Sequence, residues 1–463
     1  MNRVVGIETE YGCLVTGDPL HGPDSWPARV KNHLFTEARA GVLDLHYRDY
    51  EEPPGNGGFL LNGGRLYIDM GHLEYASPEA RTVRDAVACD LAGERLLQSA
   101  LEALGVSGEV AFIKNNIDHH TGATFGCHEN YLMKRELQFD SRLLGTLLSF
   151  LATRQLFAGA GRVGQASPLA FDIEPDNHPA AVPFQLSQRA DHIVNDIYQW
   201  VQFNRAIINA RDEPLADHRK YRRLHLLIGD SNMSPFANAL KVGTTALLLT
   251  LLEEGDVPED VILHDAVMAT RQISHEGTGR AVVALEDGRT RAALDIQREF
   301  QAHASRVLGG RDAETDWILE NWAFTLDALC TRPELLLGGV DWISKKWLLE
   351  TFRESEGLSW QDPWLQSLDL EYHNIDPARG LFHALPAAKA IAEFNASIAR
   401  TDATRTPPAD TRAHGRGLAV ALFQERQLPY VINWDSLAID NARQLPMPDP
   451  FETYAAEVRE FVG

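Results

Sequence analysis

Cysteine is scarce in this 463-residue chain, and the four present (Cys13, Cys89, Cys127, Cys330) lie far apart with no CxxC pair. That excludes a disulfide scaffold and a cysteine zinc site, and it fits a reducing compartment. Basic residues are also in deficit, 43 Lys and Arg against 65 Asp and Glu, for a net charge of −22. Such a surface repels polyanions on average, so nucleic acid is not an expected partner. No hydrophobic run is long: the most apolar, residues 246–252, falls well short of the ~20 residues that cross a bilayer. The start, MNRVVGIETEYG, carries two glutamates by position 10 and lacks the basic, apolar and cleavage regions of a signal peptide. A cytoplasmic protein without membrane attachment is expected. Apolar residues at 44% and charged residues at 23% are ordinary for a folded chain.

Strand side chains repeat every two residues. Val4, Val5 and Ile7 interleaved with Glu8 and Glu10 therefore predict a strand with two carboxylates on one face. Residues 64–70 (GRLYIDM) predict a second strand, placing Arg65, Tyr67 and Asp69 together. Between them, residues 17–62 are rich in Gly, Pro and charge and read as a long excursion, with one helix near 28–40, that either covers a site or is partly mobile. Ser77 followed by Pro78 reads as the N-cap and first turn of an amphipathic helix reaching about Leu104. Further strands are expected at 110–116, 129–134, 184–187 and 224–228, a helix at 141–157, a proline-rich loop at 165–183, and helices from 234 to about 353. This is an α+β arrangement, a mainly antiparallel or mixed sheet with helices packed on it. The shift to small polar residues and proline at 399–412 divides the chain into 1–400 and a small C-terminal domain, 401–463, which docks on the first.

Gly159-Ala-Gly161-Arg-Val-Gly164 is a literal GxGxxG, but it follows a helix and opens none, so it reads as a glycine-rich turn and not a dinucleotide site. His119-His120 and His128-Glu129 lack zinc-ligand spacing. The constellation that stands out is Glu8 and Glu10 with Arg65, Tyr67, Asp69 and, past a turn, Glu74. Phosphate-bound magnesium takes hard oxygen ligands and a fixed guanidinium takes phosphate oxygens, so this set suits a magnesium nucleotide. Ordinary solvated strand positions paired with Arg65 would give the same spacing. Polar clusters at 114–116, 127–130, 209–213 and 221–225 fall at strand ends and turns and read as a sheet edge facing a ligand or, taken singly, as turns, caps or buried ion pairs, and the basic stretch Arg205, Arg211, Arg219, Lys220, Arg222, Arg223 as either a groove for an acidic partner or internal ion pairs.

GIETEYG (6–12), NGGRLYIDMGHLEYASPE (62–79), KNN (114–116), GCHENYLM (126–133), FQLSQRADHI (184–193), RDEPLADHRKYRRLH (211–225), GDSNMS (229–234) and LDIQREF (294–300) occur in order over nearly the whole chain. They resemble the family of the Pup ligase (proteasome accessory factor A) and its paralogue, the deamidase of Pup. The resemblance implies a glutamine synthetase-like fold, a curved and mainly antiparallel sheet holding ATP and Mg2+, with a small C-terminal domain. It implies an ATP-dependent ligase that phosphorylates the side-chain carboxylate of the C-terminal glutamate of a small Pup-like modifier and transfers it to lysine-bearing target proteins, marking them for proteasomal degradation. By position, Glu8, Tyr67 and Glu74 match magnesium ligands, Arg65, Ser77 and Trp434 match nucleotide contacts, and Asp69 matches the catalytic base. GIETE (6–10), GCHENYL (126–132), DSNMS (230–234), LKVGT (240–244), LDIQRE (294–299), LDLEYH (368–373) and DPF (449–451) lean to the ligase. The short Asp69–Glu74 turn, GRVG (161–164) and LETFRESEGLSW (349–360) lean to the deamidase, which hydrolyses the modifier's terminal glutamine or its isopeptide bond. A non-catalytic adaptor for the modifier is a third reading, disfavoured by the carboxylates and Arg65 gathered at such cost.

Overall fold

The structure is a computed structural model that describes residues 3–17, 22–48, 52–119, 121–164, 182–199, 205–440 and 442–463. Its strands are β1 (Val5–Val15), β2 (Gly41–Leu43), β3 (Gly57–Leu60), β4 (Arg65–Asp69), β5 (His72–Ala76), β6 (Val110–Ile113), β7 (Cys127–Lys134), β8 (Arg162–Val163), β9 (Phe184–Gln185), β10 (Asn195–Tyr198), β11 (Ala206–Asn209), β12 (Tyr221–Leu226), β13 (Val282–Ala284), β14 (Thr290–Ala292), β15 (Tyr430–Ile432), β16 (Ser436–Ile439) and β17 (Arg443–Pro446). Ten of them form one sheet in the order β10-β11-β12-β7-β1-β5-β4-β3-β2, with β6 also paired to β1. Only β10 and β11 run parallel; every other pair in the sheet is antiparallel. The expected α+β architecture is present.

The sheet has two chemically distinct faces because its strands alternate. Ile7, Tyr131, Met133, Leu224 and Leu226 are buried in a large cluster with the helices Val83–Ala103, Ser141–Thr153 and Pro235–Glu254. Tyr11, Leu66, Leu73 and Tyr75 continue that face under the helix Trp26–Thr36. Helix Pro235–Glu254 is long and apolar enough to span a bilayer, but 89% of its apolar window is inside the protein, so it is a core helix. A third cluster joins Val42, Phe59 and Leu61 to the C-terminal helix Ala413–Arg426, β15, β16 and the last helix, Ala455–Val462.

Several elements differ from the expectations. Ser77 does not cap a helix: β5 leads into it, its Oγ accepts from the Ile7 amide at 2.9 Å, and an isolated bridge between Val5 and Ala80 keeps the chain extended. The helix starts at Val83, capped by Thr82, whose side chain accepts from the Asp85 amide. The 141–157 helix is two, Ser141–Thr153 and Gln155–Ala158. A hairpin of β13 and β14 interrupts the helices of 234–353, and the strand at 184–187 is only the two residues of β9. The excursion holds a helix at Trp26–Thr36 and adds β2 and β3 to the sheet, β3 pairing with β4. Most of the 165–183 loop and His120 lie outside the described residues. Gly161 and Gly164 take φ of 70° and 71°, as a glycine-rich turn requires.

Candidate active site

Opposite the helices, the sheet presents its polar side chains. Glu8 is in register with His128 on β7 and Ala76 on β5, and Glu10 with Glu74. Tyr67 is in register with Glu74 and Asp69 with His72, while His225 on β12 stands opposite Asn130. Directly paired residues project to the same face, so five strands contribute to one polar surface.

Two groups of potential metal donors lie on it. Glu8, His128 and His225 bring ligand atoms within 4.8 Å of one another, as do Glu10, Asp69 and Glu74. Glu8 Oε2 is 3.3 Å from His128 Nδ1 and 3.5 Å from His225 Nε2, and Oε1 accepts from Asn130 Nδ2 at 3.1 Å. Burial opposes ionisation of Glu8, but the two imidazoles and the Arg223 charge together hold its carboxyl well below the usual range. Burial pushes His225 down to about 4 despite Glu8. Glu74 goes the other way: burial first, then the charges of Glu10, Glu8 and Asp69, push its carboxyl well up, against a hydrogen bond with Tyr67. The same burial and the carboxylates at 74 and 8 push the Tyr67 phenol up. Four carboxylates are thus crowded where one already resists ionisation, an arrangement that a divalent cation relieves.

Gly126 permits this crowding. Its amide donates to Glu10 Oε1 at 2.8 Å. A Cβ there would stand 2.3 Å from His128 Nε2 and 2.8 Å from Glu10 Oε1, closer than any side chain tolerates.

Beside Glu8 opens a cleft lined by Ser77, Asn130, Arg223, Arg412 and Trp434 among others. Trp434 is held from behind: its ring meets Phe59 edge-on at 5.2 Å, the Arg416 guanidinium lies 4.6 Å over it, and its carbonyl accepts from Arg416 Nη1 at 2.8 Å. Glu79 binds both Arg412 and Arg416. Those two guanidiniums outweigh the effect of burial and hold its carboxyl at about 2.

The structure therefore brings Glu8, Tyr67, Asp69 and Glu74 together, and sets Ser77 and Trp434 on the adjoining cleft. Arg65 shares β4's polar face but is not part of the cleft wall; its guanidinium is bound by Asp44 and Glu52 and lies 4.6 Å over the Tyr67 ring. Among the site's neighbours, His128, His225 and Arg223 belong to the polar clusters of 127–130 and 221–225 and sit within β7 and β12, on the sheet and not in turns. The period of two in His128-Glu-Asn130 and Arg223-Leu-His225 was the available signal. The basic stretch is not one surface: Arg211 and Arg219 pair with Glu213 and Asp217, and Arg223 alone faces the cleft.

The described residues thus set a polar sheet face of grouped carboxylates beside an aromatic-walled cleft. The protein family described as Pup-ligase protein matches residues 3–438, and the chain belongs to it. The Pup–protein ligase of Kocuria rhizophila is 40% identical over 475 residues, covering 99% of this chain and 98% of that protein. A depupylase of Acidothermus cellulolyticus is 36% identical over 501 residues, covering 100% and 97%. Among solved structures, the complex of the ubiquitin-like protein Pup with its ligase PafA matches with a TM-score of 0.82 at 31% identity, covering all of this chain and 91% of the other. The Pup ligase PafA bound to ADP matches with a TM-score of 0.75 at 31% identity, covering 96% and 95%.

Proposed function

We propose that this chain is an ATP-dependent ligase that joins the side-chain carboxylate of the C-terminal glutamate of a small Pup-like modifier to lysines of target proteins, with Mg2+ as its metal. The observation that carries this reading is the convergence of Glu8, Tyr67, Asp69 and Glu74 on one sheet face, beside a cleft bordered by Ser77 and Trp434. The full-length likeness to Pup ligases, one of them bound to ADP, supports it.

A carboxylate is a poor electrophile because its departing oxygen is strongly basic, and phosphorylation by ATP turns that oxygen into a good leaving group. The target lysine attacks the acyl carbon, the C–O bond to phosphate breaks, and an isopeptide bond forms. The donors fit a hard dication, whose role would be to offset triphosphate charge. Glu8, Glu74 and the Tyr67 oxygen would hold it, with Glu10 adjoining. Trp434 would offer a flat apolar wall to a base, Ser77 lies at the cleft, and Arg65, behind the Tyr67 ring, would take phosphate oxygens. A lysine ammonium with a pKa near 10 must shed a proton before it attacks, and Asp69, the last residue of β4, would be the carboxylate that takes it. Residues 1–400 would form the catalytic domain, and 401–463 a small domain supplying Trp434. Four free cysteines accord with a cytoplasmic setting.

The test is incubation with ATP, Mg2+ and a Pup-like modifier ending in glutamate or in glutamine, following ADP release and the mass of any lysine adduct. One ADP per adduct with the glutamate form is the expected result. Ammonia or free modifier released with no nucleotide consumed would assign the hydrolytic activity of the depupylase relative instead. Asp69→Asn should keep ADP binding and lose adduct formation, and normal turnover in that variant would remove the base.

A further inference from the structure

We propose that Glu52 occupies on Arg65 the place of a nucleotide phosphate, and that Asp44 is the positioning residue that keeps the Arg65 guanidinium ready for the exchange. This rests on the nucleotide reading given above. Arg65 is buried, and its guanidinium lies 4.6 Å over the ring of Tyr67, whose phenol meets Glu74 on the polar face. The arginine is thus one ring removed from the donors assigned to the metal.

Its two acidic partners differ in kind. Asp44 is 3% exposed, and its Oδ2 accepts from Arg65 Nε at 3.3 Å and Nη2 at 3.0 Å. The same carboxylate takes two bonds from Arg48, at 2.9 and 3.1 Å. Arg48 is in turn tied to Asn433 Oδ1, at 2.9 Å, and to the Ile432 carbonyl. Asp44 is therefore fixed from two sides, one of them the segment that leads into Trp434. Glu52 reaches the same Arg65 Nη2 at 2.5 Å, but from a non-repetitive segment, with its side chain 25% exposed and Arg48 Nε 3.9 Å away.

A carboxylate against a guanidinium edge uses the geometry that phosphate oxygens use. Two carboxylates against two guanidiniums leave this cluster neutral, so an arriving phosphate gains little from Arg65 until one carboxylate withdraws. Glu52 can return to water at small cost because it is partly hydrated already, whereas unpairing the buried Asp44 is expensive. Exchange of Glu52 for phosphate would couple nucleotide binding to a shift of the 52–56 segment and keep Arg65 paired throughout.

Isothermal titration of the full chain with ADP and Mg2+, and separately with adenosine, tests this. Glu52→Gln should tighten ADP binding about two- to fivefold, the worth of one partly exposed ion pair, and leave adenosine unchanged. Glu52→Asp keeps the charge but shortens the reach and should behave like Glu52→Gln. Asp44→Asn should weaken ADP more than adenosine, because a loosened Arg65 fork affects only the phosphates. Unchanged or weaker ADP binding in Glu52→Gln, or wild-type behaviour in Glu52→Asp, overturns the exchange while leaving the nucleotide reading intact. Absence of ADP binding by the wild-type chain overturns both.

Discussion

Replacing Glu79 by glutamine probes how the C-terminal segment is held over the cleft. Glu79 Oε1 accepts from Arg412 Nε at 2.7 Å and Arg416 Nη1 at 3.2 Å, and Oε2 from Arg416 Nη2. The Arg412 and Arg416 side chains are 4% and 0% exposed. The folded carboxyl titrates at about 2, against about 4.3 in an unfolded chain, a difference of about 3 kcal/mol of preferential stabilisation of the anion. A carboxyl whose pKa is lowered by folding contributes in full above its unfolded pKa, and the contribution fades as pH falls towards the folded value. Glu79→Gln at pH 7 loses it and leaves two buried guanidiniums short of an anion, a cost of about 3–5 kcal/mol. Because Arg416 also holds the Trp434 carbonyl, the ADP affinity should fall with the stability. Urea denaturation at several pH values is the assay: the gap between wild type and variant should be largest at pH 7 and narrow by about 2 kcal/mol at pH 3. A gap of equal size at both pH values would refute the ion-pair account, since lost packing alone does not titrate.

Three further substitutions address the polar face and what lies behind it. Gly126→Ala forces His128 or Glu10 to move, and should lower the ligation kcat by about tenfold or more while leaving the circular dichroism spectrum intact. Glu74→Gln removes a carboxylate that burial and its neighbours already disfavour. In chelator its melting temperature should rise by about 2–4 °C, and the rise that Mg2+ gives the wild type should shrink. Arg154→Met strands Glu129, which Arg154 grips at 2.5 and 2.8 Å beneath the sheet. It should cost about 3–5 kcal/mol in urea denaturation.

How much could be read before folding depended on whether the information was local. β1 and β4 were legible because alternation within seven or eight residues fixes both strand and face, and Glu8, Glu10, Tyr67 and Asp69 came with them. Ser77-Pro78 misled because a hydroxyl before proline satisfies either a helix cap or a neighbouring strand, and the contact that decides, with the Ile7 amide, spans 70 positions. His128 and His225 joined Glu8 only through the register of β7 with β1 and of β12 with β7, which no local window contains. Arg65 was legible as a cation on the right face, but its partners Asp44 and Glu52 lie 21 and 13 positions away, in an excursion whose path composition does not specify.

Strand alternation also explains how so costly a face is supported. Between Glu8 and Glu10, Thr9 turns to the other side, where its hydroxyl donates to Asp90 Oδ1 at 2.9 Å, and Asp90 with Glu94 receives the buried Lys114 at 2.6 and 2.7 Å. Between His128 and Asn130, Glu129 turns the same way into the Arg154 pair and the Tyr131 hydroxyl at 2.6 Å. Each pair of front-face donors thus flanks one back-face anchor bonded to a helix. Such buried ion pairs are poor sources of net stability compared with apolar packing, yet they resist sliding, because a one-residue slip would carry Thr9 or Glu129 to the front and both donors to the back. The anchors therefore hold the register that keeps mutually repelling carboxylates within a few ångströms of one another before any cation arrives.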